Sequence, residues 1–269
     1  MTKLGVSGRA LVRWRPVVRA THAIVALGLA ASCGCQSSEQ VLVAPVVTVA
    51  PYDTSRGEVL WAVVPLRNES GTSLADALAV SDKLVNAVEE VHGVRAVPLN
   101  RTIQAMQALG ITSLQNPADA RKLAQAMGVD GVLVGSITSY DPYTPEMGLA
   151  IALYARAGAM AQGQPHPLDP KALTARPTDT DPTQWTRAEG PVAVVSEHLD
   201  AKNNQVLSDL KAFAQGRMKD TSALGWKRYA ASMDLYSEFV AFHAIDVLLK
   251  QEWTRLPGGV GVASAETTR

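Results

Sequence analysis

Leu60-Trp61-Ala62-Val63-Val64-Pro65-Leu66 is an apolar run that stops abruptly at Arg67-Asn68-Glu69-Ser70-Gly71, and a helical pattern begins within a few residues. A short apolar run closed by a polar turn reads as a buried strand, and a helix directly behind it makes the pair the opening of an α/β domain. The sheet is expected to grow from this strand.

The rest of the chain repeats the alternation. Leu74, Ala77, Leu78, Leu84, Val85, Val88 and Val91 recur at helical spacing, with Ser73 as the N-cap and Gly93 just past the end. Val94–Val97 reads as the second strand. Asn100 is placed as the cap of a short helix closed by Gly110, and Asn116-Pro117 opens another that Gly128 closes. Val129–Ile137 is nearly all apolar, so it is expected at the centre of the sheet with both faces covered. Met147–Ala157 forms a fourth strand, apolar on both faces. Val192–Val195 forms another, followed by Val206–Ala214 as its hairpin partner or as a helix, since both patterns fit. The stripe Trp226, Tyr229, Met233, Tyr236, Val240 and Ala244 runs on to Leu249 and predicts the longest helix. The fold class is therefore α/β: a single domain of two or three layers, with a mixed sheet of about five to six strands, flanking helices and a long C-terminal helix.

The N-terminus carries a different kind of information. Lys3, Arg9, Arg13, Arg15 and Arg19 all precede the first acidic residue, Glu39, and are followed by the apolar run Ala23–Ala31. That run falls within the roughly 7–15 residues of a signal-peptide core and short of the ~20 that span a bilayer. Behind it, Leu29-Ala30-Ala31-Ser32-Cys33 resembles a bacterial lipobox, which implies cleavage before Cys33 and lipidation of that cysteine. Cys35 stands two residues on and competes for the same role; no cysteine follows it, so stability rests on packing. Several acyl chains give a stable anchor where one does not. Gly34, where enteric lipoproteins held at the inner membrane carry aspartate, favours the outer membrane facing the periplasm. The expected organisation is a signal peptide over 1–32, a lipidated N-terminus and tether over 33–58, the α/β domain over 59–254, a Pro-rich insertion at 158–190 and a disordered tail over 255–269. Val41–Val49 also qualifies as an edge strand docked on the domain.

Val63-Val64-Pro65-Leu66-Arg67-Asn68-Glu69-Ser70-Gly71, Ala75-Asp76-Ala77-Leu78 and Gly128-Val129-Asp130-Gly131-Val132 through Ser136 together resemble the domain shared by the TolB amino-terminal region, CsgG and LpoB. That resemblance spans residues 59 to 157. It implies a compact α/β envelope domain whose partner is another envelope protein.

Chemistry is sparse. Lys plus Arg and Asp plus Glu number 25 each, a net charge of zero that gives no drive toward nucleic acid, and basic residues are not interleaved with aromatics. His92, His166, His198 and His243 stand in no metal-ligand spacing, and no Gly-x-Ser-x-Gly elbow occurs. No cofactor, metal or catalytic residue is expected. Asn68, Glu69 and Ser70 lie where α/β folds hold anions, but Glu69 has the wrong sign and the turn lacks the glycines and lysine of a phosphate loop. With Asp141 and Tyr143 they remain candidates for ligand or partner contact, because exposed loops on a rigid scaffold carry recognition. The expected function is a non-enzymatic protein-interaction or assembly module. The alternatives are a CsgG-like secretion channel, ranked lower because the 158–190 insertion lacks the alternation of a membrane strand and Met147–Ala157 is apolar on both faces, and last an envelope hydrolase.

Mass spectrometry of the protein extracted from membranes is expected to find acyl groups on Cys33. Cys33→Ala moves the chain to the soluble fraction; acylation on Cys35, or a soluble wild type, contradicts the anchor.

Overall fold

The computed structural model describes residues 45–54, 57–114, 116–156, 160, 190–218 and 223–256. The signal segment, Cys33, Cys35, the 158–190 insertion apart from Met160 and Gly190, and the tail beyond Leu256 lie outside the described residues.

The opening run forms β1 (Val59–Val63), continued after Pro65 by the two-residue β2 (Arg67–Asn68). Helix α1 (Ala77–Glu89) carries the chain to β3 (Val94–Val97), and α2 (Leu99–Ala108) and α3 (Pro117–Met127) lead to β4 (Gly131–Asp141). A tight turn joins β4 to β5 (Glu146–Ala155), after which come β6 (Ala193–Asp200), α4 (Asn204–Ala214), α5 (Lys227–Ala231) and α6 (Met233–Arg255). The sheet order is β3-β1-β4-β5-β6, with β2 also on β4. β3, β1 and β4 run parallel, whereas β4–β5 and β5–β6 are antiparallel, so the sheet is mixed.

Two cores divide the sheet. On one face Trp61, Leu84, Leu133, Ile151, Tyr236 and Phe239 pack with α1 and α6. On the other, Ala62, Val64, Leu123, Val129 and Val132 pack with α2 and α3. β4 begins buried on both faces, at Val132 and Leu133, as a central strand must. β5 does not match the expectation of two covered faces. Met147, Leu149, Ile151 and Leu153 are buried, but Ala150, Ala152 and Tyr154 are only half-covered, because on that face β5 meets only α3, at its edge, where Tyr154 packs on the second core.

Helix boundaries also moved. Asp76, not Ser73, caps α1, accepting from the Leu78 and Ala79 N–H groups, so Leu74 lies outside the helix. Leu78 is six residues from the buried Leu84, about 120° off that stripe at 100° per residue, and both leucines are exposed rather than in the core. Asn100 sits inside α2, which starts at Leu99 after Pro98 without a side-chain cap. Val206–Ala214 belongs to α4, capped by Asn203, because Val206, Leu210, Phe213 and Ala214 bury one helical stripe. The long C-terminal stripe is broken at Ser232, whose extended backbone lets Tyr229 turn edge-on to Phe213 while Tyr236 enters the main core.

Thr48–Tyr52 lies against the domain as a strap. Val49 bridges His92 in parallel, His92 N–H donates to the Thr48 carbonyl at 2.9 Å, and Trp253 Nε1–H donates to the Val49 carbonyl at 3.0 Å. Tyr52 donates its hydroxyl to Glu252 Oε2 at 3.0 Å and meets Trp61 edge-on with centroids 6.1 Å apart. Glu252 is fully buried, and Arg255 grips both its oxygens at 2.7 and 2.6 Å. A buried carboxylate is tolerated when paired and hydrogen-bonded in this way.

Burial first, then the Glu252 charge, pushes the Tyr52 hydroxyl far above the ordinary tyrosine range. Its contribution is complete below pH ~10, where an unfolded tyrosine ionises, and declines as pH rises further, by about 1.4 kcal/mol per pH unit. Tyr52→Phe is expected to lose about 2 kcal/mol in urea unfolding at pH 7, with the gap to wild type narrowing between pH 10 and 11. A gap constant across that range would show that Tyr52 is not held against Glu252.

Candidate functional site

The polar loops gather at the carboxyl ends of the parallel strands. β1 leads into the 64–76 loop there, β4 turns into β5 there, and β6 ends there at Asp200. The strap sits at the other end, beside His92 and the last turn of α6.

Asn68 organises the first loop. Its amide donates to the carbonyls of Thr72 and Ala75 at 2.7 and 3.2 Å, and its Oδ1 accepts from Ser70 N–H and Oγ–H at 3.1 and 2.6 Å. Gly71 turns the chain at φ 77°, a conformation that a Cβ would strain. All four side-chain bonds of Asn68 stay within the loop, so this residue shapes the turn. Ser70 Oγ also accepts from Thr72 N–H. Glu69 pairs with Arg67 at 3.0 Å on the surface.

Asp141 plays the same part in the β4–β5 turn. It accepts from the Tyr143 and Thr144 N–H groups and from the Thr144 hydroxyl. That hydroxyl, followed by the Tyr143 N–H, holds its carboxyl below the usual carboxylate range. The turn so fixed displays Tyr143, 86% exposed. Leu74 and Leu78, 56% and 53% exposed, stand on the loop and helix start at the same end of the sheet. Pattern reasoning placed them in the core; the signal for their exposure was Asp76, a better cap than Ser73 because its acceptor reaches two free N–H groups.

Beside the carboxyl end of β1, on the α2/α3 face, lies a cleft of about 560 Å³. Its walls include Pro65, Ile103, Met106, Ile111 and Val134, with Arg67 among them. A second cavity of about 230 Å³ adjoins it and shares Arg67, Leu114, Val134 and Gly135, extending to Asn116, Ser136, Ala152 and Tyr154 on the half-covered sheet face. Gly135 is needed where it stands: a Cβ there falls 2.4 Å from the Ala150 carbonyl oxygen. No local pattern announces this cleft, because its walls come from four separate segments.

Of the histidines, His198 lies 3.5 Å from Glu146 on the open sheet face and His243 meets Phe239 at a tilt, with ring centroids 5.8 Å apart. No group of three or more His, Cys, Asp or Glu capable of holding a metal occurs among the described residues. No described helix is long and apolar enough to cross a membrane.

No family model matches the chain, and no curated protein sequence matches it. Solved structures do. The C-terminal domain of LpoB from Salmonella enterica is 22% identical, with 43% of this chain and 79% of that one aligned at a TM-score of 0.33. Lipoprotein GNA1162 from Neisseria meningitidis is 17% identical over 56% and 92% of the two chains, also at 0.33. A PelC dodecamer from Paraburkholderia phytofirmans is 13% identical over 78% and 95%, at 0.32. LpoB is one of the three proteins that the residues of β1, β2, the start of α1 and β4 resemble. Scores of this size give the chain no family name and no activity.

Asn68→Ala is expected to cost about 1–2 kcal/mol and to speed hydrogen exchange at the Ser70 and Thr72 amides. Arg67→Ala, which removes only an exposed ion pair, changes stability by less than about 1 kcal/mol. Unchanged exchange in the Asn68 variant would remove that residue from its organising role.

Proposed function

We propose that the chain is a lipid-anchored, periplasm-facing envelope protein, attached through Cys33, that acts as a non-enzymatic interaction or assembly module for another envelope protein. The observation that carries this is the division of labour between the two ends of the sheet. The strap joins the chain arriving from Cys33 to the amino ends of the parallel strands through Tyr52, Glu252 and Trp253. Tyr143, Leu74 and Leu78 are displayed at the carboxyl ends, β4 alone separating the two by on the order of 30 Å at ~3.3 Å per residue. Exposed aromatic and aliphatic side chains on loops held rigid by their own hydrogen bonds are suited to partner contact, because little ordering entropy remains to oppose binding. Asn68, Glu69, Ser70 and Asp141 serve that surface by fixing its loops.

A photo-crosslinking amino acid placed at Tyr143, and separately at Leu74, in living cells is expected to give the same adduct with an envelope protein. The same group at Val47, in the chain entering the strap, gives none. No adduct at Tyr143 and Leu74, or adducts at Val47 alone, would sink this reading. So would a detergent-extracted ring that conducts ions, which would make the protein a channel.

A further inference from the structure

Arg67 is the only charged side chain among the described residues lining either cavity of the cleft, and it lines both. The larger cavity is walled mainly by apolar side chains, Ile103, Met106 and Ile111 among them; the smaller, which shares Arg67, Leu114, Val134 and Gly135 with it, is lined more by polar groups, with Asn116, Ser136 and Tyr154 beside Ala152. Arg67 is thus the one charged side chain among the described residues that an apolar hollow and a polar one have in common. Its partner, Glu69, is nearly half exposed and lines neither hollow. A surface pair of this kind contributes little, so exchanging Glu69 for an incoming carboxylate is close to neutral. Two carboxylate oxygens can take the fork of an arginine at once, which fixes direction as well as charge.

We infer that this cleft binds an extended peptide segment of the partner protein in which one acidic residue, seated on Arg67, has an apolar side chain on one side that fills the larger cavity and a polar side chain on the other that enters the smaller. The inference deepens the interaction-module reading and rests on it. A single-chain fatty acid matches less well, since it offers nothing to hydrogen-bond Asn116, Ser136 and Tyr154 in the smaller cavity. The combined cavities lie within the roughly 300–1,000 Å³ range of binding sites, and half-open walls suit a passing chain. An apolar anchor in a pocket beside an arginine is where interface energy concentrates.

The test is selection of a random library of twelve-residue peptides, displayed on phage, against the full-length protein in detergent. Recovered peptides are expected to share an aspartate or glutamate with Leu, Ile, Val, Met or Phe within three positions on one side and Ser, Thr, Asn or Gln within three positions on the other. A recovered peptide, resynthesised, should bind Arg67→Ala at least tenfold more weakly, and Val134→Trp, which fills the junction, should abolish binding. Arg67→Glu should select basic peptides instead. Melting temperature verifies that each variant is folded. The inference is overturned if no such pattern emerges, if acidic peptides bind Arg67→Ala as well as wild type, or if dodecanoate binds the cleft while no peptide is selected. Adducts at Tyr143 together with a failed selection leave the interaction module standing and remove the cleft from it.

Discussion

β4 is the constraint on which the rest of the structure depends. It pairs in parallel with β1 and β2 and antiparallel with β5, and it opens with Val132 and Leu133 buried on opposite faces. A strand enclosed on both edges and both faces has no freedom of register, because a one-residue slip would exchange its two cores. Leu133 must meet Trp61 and the α6 side, and Val132 must meet Leu123 and the α3 side. Once that register is set, the positions of β1, the hairpin and both helical layers follow.

The register also fixes the ends. Because β1, β3 and β4 run parallel, their loops collect at one end, and the chain before β1 enters at the other. The strap exploits that entry point. Glu252 lies on the inner side of α6, where an unpaired carboxylate would be strongly unfavourable; Arg255 pairs with it from the same helix, and Tyr52 adds its hydrogen bond only when residues 48–52 are in place. The polar contact therefore specifies a docking position more than it adds stability.

At the opposite end two side chains of similar chemistry, Asn68 and Asp141, each spend their acceptors on their own loop. Both were candidates for direct contact, and both shape the turns that present other residues. Arg67, one position before Asn68, borders the cleft because β2 turns it toward the open α2/α3 side. The half-covered face of β5 explains why the cleft continues beyond Arg67: small residues at Ala150, Ala152 and Ser136 leave room that no described helix fills.

The α/β class, the order of strands and helices, the cap at Asn116 and the left-handed stop at Gly128 were all legible in the sequence, since each depends on residues a few positions apart. So was the central place of β4, from its apolar run. Local pattern misplaced Leu74 and Leu78, because the cap at Asp76 leaves Leu74 outside the helix and the spacing of Leu78 turns it about 120° from the Leu84 stripe. It left Val206–Ala214 open between strand and helix, because Val206 and Leu210 satisfy both periods until the packing of Phe213 against Tyr229 and Phe239 selects one. The strap, the Tyr52–Glu252–Arg255 cluster and the Arg67 cleft were not legible at all. Tyr52 and Glu252 are 200 positions apart, and the cleft takes its walls from β1–β2, α2, the α2–α3 loop and β4–β5. The sequence by itself determined the elements and their order, because spacing along the chain encodes them. Which face stays open, where the N-terminal segment docks and what surrounds Arg67 were decided by tertiary structure, because each depends on distances between segments that spacing along the chain does not contain.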